Sequence, residues 1–216
     1  MKKLALLTCL LATSAYAGDL PTKAPPSAGF TDCTTLQCTG PYAGMNVTGT
    51  ATNANVLANG INGSVMAGGQ SLGVQAGYQF WNNTWFFGPE VFGDYTYGGS
   101  PVIVGTAPPK YLFGEIVKFG TPLSTFFGGI TPASSTGLPA VLTANTISPY
   151  LFVGAAQRSW GTGVASGGGI TFALDKIHWF LDARYTNIQY TANQQVNAQT
   201  SVPQENLISV GVNYKF

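Results

Sequence analysis

At 216 residues, with 8% of them charged and a formal net charge of +1, this chain lacks the charge that covers a soluble domain, where about 25% is usual. No basic cluster is present to attract nucleic acid, and outside the first residues no apolar run reaches the length of about 20 that a membrane helix needs. In lipid every backbone polar group must be paired inside the structure, so without a helical span only a closed barrel remains.

Residues 1–17 set the compartment. Lys2 and Lys3 give a basic start, Leu4 to Ala12 a short apolar run, and Ala15-Tyr16-Ala17 a small-x-small site before Gly18. That order is a secretory signal peptide, cleaved between Ala17 and Gly18. Cys9 lies within the apolar run, behind Thr8, not at the cleavage point, which argues against lipid attachment. Without this leader the chain keeps 7 Lys+Arg against 8 Asp+Glu.

Residues 18–39 contain Pro21, Pro25 and Pro26 and little periodicity, and read as an irregular periplasmic segment. Cys33 and Cys38 are the two cysteines left after cleavage, and an even number in an exported protein predicts a disulfide. It would close a small loop as a structural staple. Without histidines nearby the pair makes a poor metal site.

From residue 40 onward, segments of about ten residues alternate large apolar side chains with small or polar ones, the pattern of membrane strands with one row facing lipid and one facing the lumen. The first is 40–49, with Ala43, Met45 and Val47 outward and Tyr42, Gly44 and Asn46 inward. The second is 69–80, with Leu72, Val74, Ala76, Tyr78 and Phe80 on one face. The third is 84–97, with Glu90 and Asp94 opposite Trp85, Phe87, Val91, Tyr95 and Tyr97; Pro89 removes a ladder donor and predicts a bulge there. The fourth, 110–120, has no cleanly apolar face, and Glu115 is placed inward. The fifth, 148–158, turns Leu151, Val153 and Ala155 outward and Arg158 inward. The sixth, 163–174, is rich in glycine. The seventh, 178–190, alternates Trp179, Leu181, Ala183 and Tyr185 with Asp182 and Arg184. The eighth is 206–216.

With both barrel ends in the periplasm, the external loops fall at 50–68, 98–109, 159–162 and 191–205. The stretch 121–147 is too long for the short turn expected at its place. It reads as an extra hairpin, which would make ten strands, or as a short helix or plug within an eight-stranded barrel; eight is favoured.

The eighth segment is the most specific. Ile208, Val210, Val212, Tyr214 and Phe216 alternate with Ser209, Gly211, Asn213 and Lys215, and the chain stops on an aromatic suited to the interface belt. The row looks like the C-terminal signal that outer-membrane barrels present to their assembly machinery. Gly18-Asp19-Leu20-Pro21-Thr22-Lys23-Ala24-Pro25-Pro26, Gly40-Pro41-Tyr42-Ala43-Gly44-Met45-Asn46-Val47 and Gly211-Val212-Asn213-Tyr214-Lys215-Phe216 resemble the small outer-membrane barrel proteins of alphaproteobacteria, the surface immunogens and haemin-binding proteins grouped with the OmpA-like barrel domain. The resemblance implies an eight-stranded barrel and little about a ligand. Residues 98–147 and the cysteine loop depart from it.

Glu90, Asp94, Glu115, Arg158, Asp182 and Arg184 are the candidates for a charge network in the lumen, where charge must be paired or wet. An eight-stranded barrel is just wide enough for side chains to fill it, which favours a structural network over an ion gate. No catalytic constellation is apparent. His178 is the only histidine and sits beside Trp179, the setting of an interfacial anchor. No cofactor or metal is expected.

The sequence therefore predicts an all-β, closed antiparallel transmembrane barrel in the cell outer membrane, with a structural or surface-interaction role. Its expected partners are outer-membrane lipid and lipopolysaccharide, the barrel-assembly machinery and an unknown surface ligand. The alternatives are a narrow porin-like channel, motivated by space at Gly167 and Gly169, and a haem-binding surface protein using Tyr97 or Tyr190, since tyrosine can ligate haem iron.

Overall fold

The computed structural model describes residues 38–58, 61–82, 84–99, 110–126, 147–159, 161–174, 178–191 and 204–216. Eight strands follow one another: β1 (Gly40–Ala58), β2 (Ile61–Asn82), β3 (Trp85–Gly99), β4 (Tyr111–Gly120), β5 (Ile147–Arg158), β6 (Gly161–Ala173), β7 (Trp179–Tyr190) and β8 (Gln204–Lys215), with a single helical turn α1 (Leu123–Phe126) after β4. Each pairs antiparallel with its chain neighbours, and β1 pairs with β8, so the sheet closes on itself. The ring closes on eight strands, and ten is excluded. The stretch 121–147 contributes α1 and the first residue of β5; its residues 127–146 lie outside the described set.

Period-two alternation decides which residues face where. Met45, Val47, Val74, Val91, Val153, Val164, Ile208 and Val210 point outward and are exposed, whereas the residues between them are mostly buried. The result is inside-out relative to a soluble globule: the outer wall is apolar and the interior carries the polar and charged side chains.

Three expectations are corrected. The loop placed at 50–68 is mostly strand: β1 and β2 stay paired from Gly40↔Gln79 to Ala58↔Ile61. β8 leaves β1 at Asn53, and β3 leaves β2 at Gly69. Among the described residues the hairpin above those points pairs only with itself, as a two-stranded ribbon that continues past the ring. Second, the bulge expected at Pro89 lies elsewhere. The β2–β3 register is the same on both sides of Pro89, with a gap in the pairing at Tyr78 and Gln79, and it shifts instead between Gln70 and Ser71, where Tyr97 is the extra residue. The proline costs a ladder bond without adding a residue. Third, Glu115 points outward. Tyr111, Phe113, Val117 and Phe119 share its parity and are exposed, and one carboxylate cannot turn a row of four large apolar side chains inward.

Candidate functional site

The interior is built from inward positions on all eight strands. Among the described residues its buried charges are four carboxylates (Glu90, Asp94, Asp182 and Glu205) and four cations (Lys118, Arg158, Arg184 and Lys215). The formal charges cancel. An ionised group in so narrow a space is tolerable only when it is paired and hydrogen-bonded, and the pairing falls into layers.

The central cluster joins five strands. Lys118 Nζ on β4 lies 2.5 Å from Glu90 Oε2 on β3 and 2.8 Å from Asp182 Oδ2 on β7. Arg184, also on β7, pairs through Nη1 with Glu90 Oε1. Two phenols complete the carboxylates: Tyr42 donates to Glu90 at 2.6 Å and Tyr150 to Asp182 at 2.5 Å. The cations also sit against aromatic faces, with Lys118 Nζ 4.8 Å from the Tyr150 ring centre and the Arg184 guanidinium 5.2 Å from that of Phe92.

Toward the ribbon end, Arg158 on β5 grips Glu205 on β8. Nε donates to one oxygen at 2.8 Å and Nη2 to the other at 2.5 Å, the two-pronged geometry that makes arginine–carboxylate pairs strong. Tyr190 donates to the same carboxylate at 2.7 Å, and Arg158 Nη1 reaches Thr96 at 3.3 Å. At the opposite end, where the chain enters and leaves the barrel, Lys215 donates to Gln79 at 3.0 Å and lies over Trp81.

Between these clusters lies an uncharged layer with one acid. Gln75 donates to Asn213 at 2.7 Å and Thr48 to Ser209 at 2.9 Å. Both atoms of the Asn46 amide, Asp94 Oδ1, Arg184 Nε and Asn213 Nδ2 have no protein partner although buried. Such a mixture of donors and acceptors is what bridging water satisfies. Asp94 Oδ1 and Asn46 Oδ1 converge over Gly73, where a Cβ would strike both.

The structure thus gathers Glu90, Asp94, Arg158, Asp182 and Arg184 inside and leaves Glu115 out. The interior also uses Tyr42, which the alternation had turned inward, and Lys118, Glu205, Lys215 and Tyr150, which the sequence reading did not assign to it. Parity was the available signal: once Tyr111, Phe113 and Phe119 face outward, Lys118 must face inward. Glu205 was assigned to a loop, but β8 begins at Gln204, and Glu205 shares the inward parity of Ser209.

Gly167 and Gly169 do not open a passage. A Cβ at Gly169 would lie 2.5 Å from the Tyr150 ring, and one at Gly167 would lie 2.7 Å from that of Phe152. The glycines make room for aromatic side chains that fill the lumen.

Other expected positions lie elsewhere. Ala15, Ala17, Gly18 and Cys33 fall outside the described residues; Cys38 precedes β1 by two positions. Ile208, Val210, Val212 and Phe216 are exposed in one outward row on β8 and its last flank, with Tyr214 half-buried among them. His178 stacks on Tyr214 with centroids 5.1 Å apart, and Trp179 meets the same ring edge-on at 5.0 Å. Tyr97 is exposed, whereas Tyr190 is committed to Glu205. Among the described residues no group of three His, Cys, Asp or Glu side chains suits a metal ion.

No family model matches the chain, and no curated protein matches it. Solved barrels do. Neisserial surface protein A is 19% identical, with a TM-score of 0.38 over 80% of this chain and 97% of that one. The Yersinia pestis attachment invasion locus protein Ail, crystallised with the heparin analogue sucrose octasulfate, is 12% identical, with a TM-score of 0.40 over 82% and 99%. The P. putida toluene transporter TodX is 11% identical, with a TM-score of 0.29 over 82% of this chain and 45% of that one. The likeness to each is one of barrel architecture.

Proposed function

We propose that this chain is an outer-membrane protein with a surface-interaction role, built as a closed pedestal that presents the β1–β2 ribbon. One observation carries the reading: the interior is filled by paired charges and aromatic rings, while the β1–β2 ladder continues beyond its neighbours on both sides. A barrel so filled has little to transport, and a ribbon whose outer edges pair with no other described strand offers backbone donors and acceptors to an extended partner. The exposed apolar wall suits lipid, and residues 1–17 suit export across the inner membrane. The Cys33–Cys38 disulfide is part of the same proposal, as a staple ahead of β1. Lipopolysaccharide and the outer leaflet would surround the upper wall, and the barrel-assembly machinery would receive β8.

The test exchanges residues 54–68 for a two-residue turn that joins β1 to β2 at Asn53 and Gly69. The barrel should still reach the outer membrane and shift on gels when heated, and whole cells should lose adhesion to the surfaces that wild-type cells bind. Unchanged adhesion would overturn the ribbon's role. Turnover of lipid A or phospholipid by the purified protein would overturn the non-enzymatic reading.

A narrow channel is the second reading, favoured by the five unpartnered polar atoms in the middle layer. It requires unitary conductance in planar bilayers that changes in Arg158→Ala or Arg184→Ala. Haem binding rests on family resemblance, and Tyr190's hydroxyl is already donated to Glu205; a haemin titration without a Soret shift would remove it.

A further inference from the structure

Glu115 is the only Asp, Glu, Lys or Arg on the outward rows of the strands among the described residues. Its neighbours across the sheet are Val91 on β3 and Ala155 on β5, and along its own row they are Phe113 and Val117. Tyr111 stands four residues to one side, against Tyr95 at 5.3 Å. Phe119 stands four residues to the other, against Trp85 at 5.7 Å. Four residues of strand span about 13 Å. In the membrane reading proposed above, on which this inference rests, those aromatic groups are the two interface girdles. Glu115 then lies midway between them, where hydrocarbon surrounds the wall.

At that depth neither water nor a cation is at hand, and a polar group there costs free energy unless it is hydrogen-bonded. A carboxyl group brings a donor and an acceptor to satisfy. The side chains directly across the ladder are apolar and the backbone is already committed to it; the polar side chain beside it on the outward rows is Gln157, diagonal to Glu115 beyond Ala155. The group best able to satisfy both at that depth is another carboxyl, because two of them close a ring of two hydrogen bonds, each O–H donated to the other's carbonyl oxygen. Side-by-side copies of one membrane protein bring the same residue to the same depth. The wall beside Glu115 is also low at Ala155, in its own cross-strand row.

We propose that two copies of this barrel associate in the membrane plane through the flank of β3, β4 and β5, with Glu115 of each copy paired across a two-fold axis. The contact is isologous, so the same patch serves both copies and the assembly stops at two. Glu115 is then a specificity element: it costs stability in the lone barrel and selects one flank for association.

The experiment counts subunits of the full chain, refolded into phosphatidylcholine vesicles and labelled singly, by stepwise photobleaching over falling protein-to-lipid ratios. Wild type should be chiefly two-copy. Glu115→Gln should remain so, because two carboxamides form the same self-complementary pair. Glu115→Val should weaken association tenfold or more, and Ala155→Trp should do so with the carboxyl retained. Single copies of wild type at every ratio would overturn the proposal, as would two-copy behaviour undiminished in Glu115→Val. Fractionation of cells making wild type tests the membrane reading separately: absence from the outer membrane would refute that placement, while the vesicle counts still decide association.

Discussion

Removing Lys118 should cost more than removing any other single cation. Its ammonium lies between Glu90 and Asp182, so Lys118→Ala leaves two buried carboxylates facing each other. Breaking a buried pair from one side typically costs about 3–5 kcal/mol, measurable as a lower urea midpoint for the barrel in detergent micelles. Lys110→Ala, at an exposed position, should stay within about 0.5 kcal/mol. A second residue-level expectation concerns Arg158 and Glu205. Either alanine alone should destabilise, and the double variant should lose clearly less than the sum, because each single change strands the other's charge. The sequence named Arg158 for the lumen and missed its partner. Nothing local marks Glu205 as strand: it follows a polar stretch rich in Gln, Asn and Thr, and only the alternation downstream extends back to it.

Within the strands, one pairing recurs at five glycines. Tyr42 faces Gly77, Phe86 faces Gly120, Phe92 faces Gly114, Tyr150 faces Gly169 and Phe152 faces Gly167, each directly across the ladder. In each pair the aromatic ring lies where the glycine's Cβ would be. A narrow barrel thereby accommodates large rings on its inner wall. Gly169→Ala should destabilise by about 1–3 kcal/mol through overpacking, and Tyr150→Ala in the same chain should remove most of that increment, read from paired unfolding curves. Gly98→Ala, where a Cβ meets nothing within 4 Å, is the neutral control. The outward rows were legible because apolar side chains recur at every second position. The inward glycines were read as gaps, because a sequence shows the missing side chain but not the cross-strand neighbour that fills its space. The ribbon was hidden for a related reason: residues 50–68 are rich in Asn, Gly and Thr, and backbone pairing between two strands leaves no mark in composition.

At the scale of the whole barrel, closure depends on β8 finding β1 across 12 paired positions, from Tyr42↔Lys215 to Asn53↔Gln204. Until that seam forms, both edges leave backbone groups unsatisfied, and in lipid each costs several kcal/mol. Deleting Phe216 should lower the amount of heat-modifiable protein in the outer membrane and leave unfolded chain in the periplasm. Ser201→Ala should assemble normally. Wild-type yield and rate from the Phe216 deletion would reduce the C-terminal row to packing. Closure on eight strands was legible from the count of alternating segments. The fate of 121–147 was not, since its apolar pairs, such as Phe126-Phe127, read equally as a strand, a helix or a plug.

A ring without an edge has no natural first strand. The β1–β8 seam is bonded like every other junction, and Phe216 N–H already donates to the Pro41 carbonyl at 3.0 Å. The order of the strands around the wall is therefore cyclic, and the place where the polypeptide is cut is a separate matter from the shape it takes. A circular permutant that links residue 216 to residue 40 through a short glycine–serine bridge and opens the chain within 127–146 should refold in micelles to the same barrel. In living cells the same permutant should assemble poorly, because the row from Ile208 to Phe216 would run on into the bridge. The difference between those two yields would measure how much of that row serves the journey and how much serves the wall.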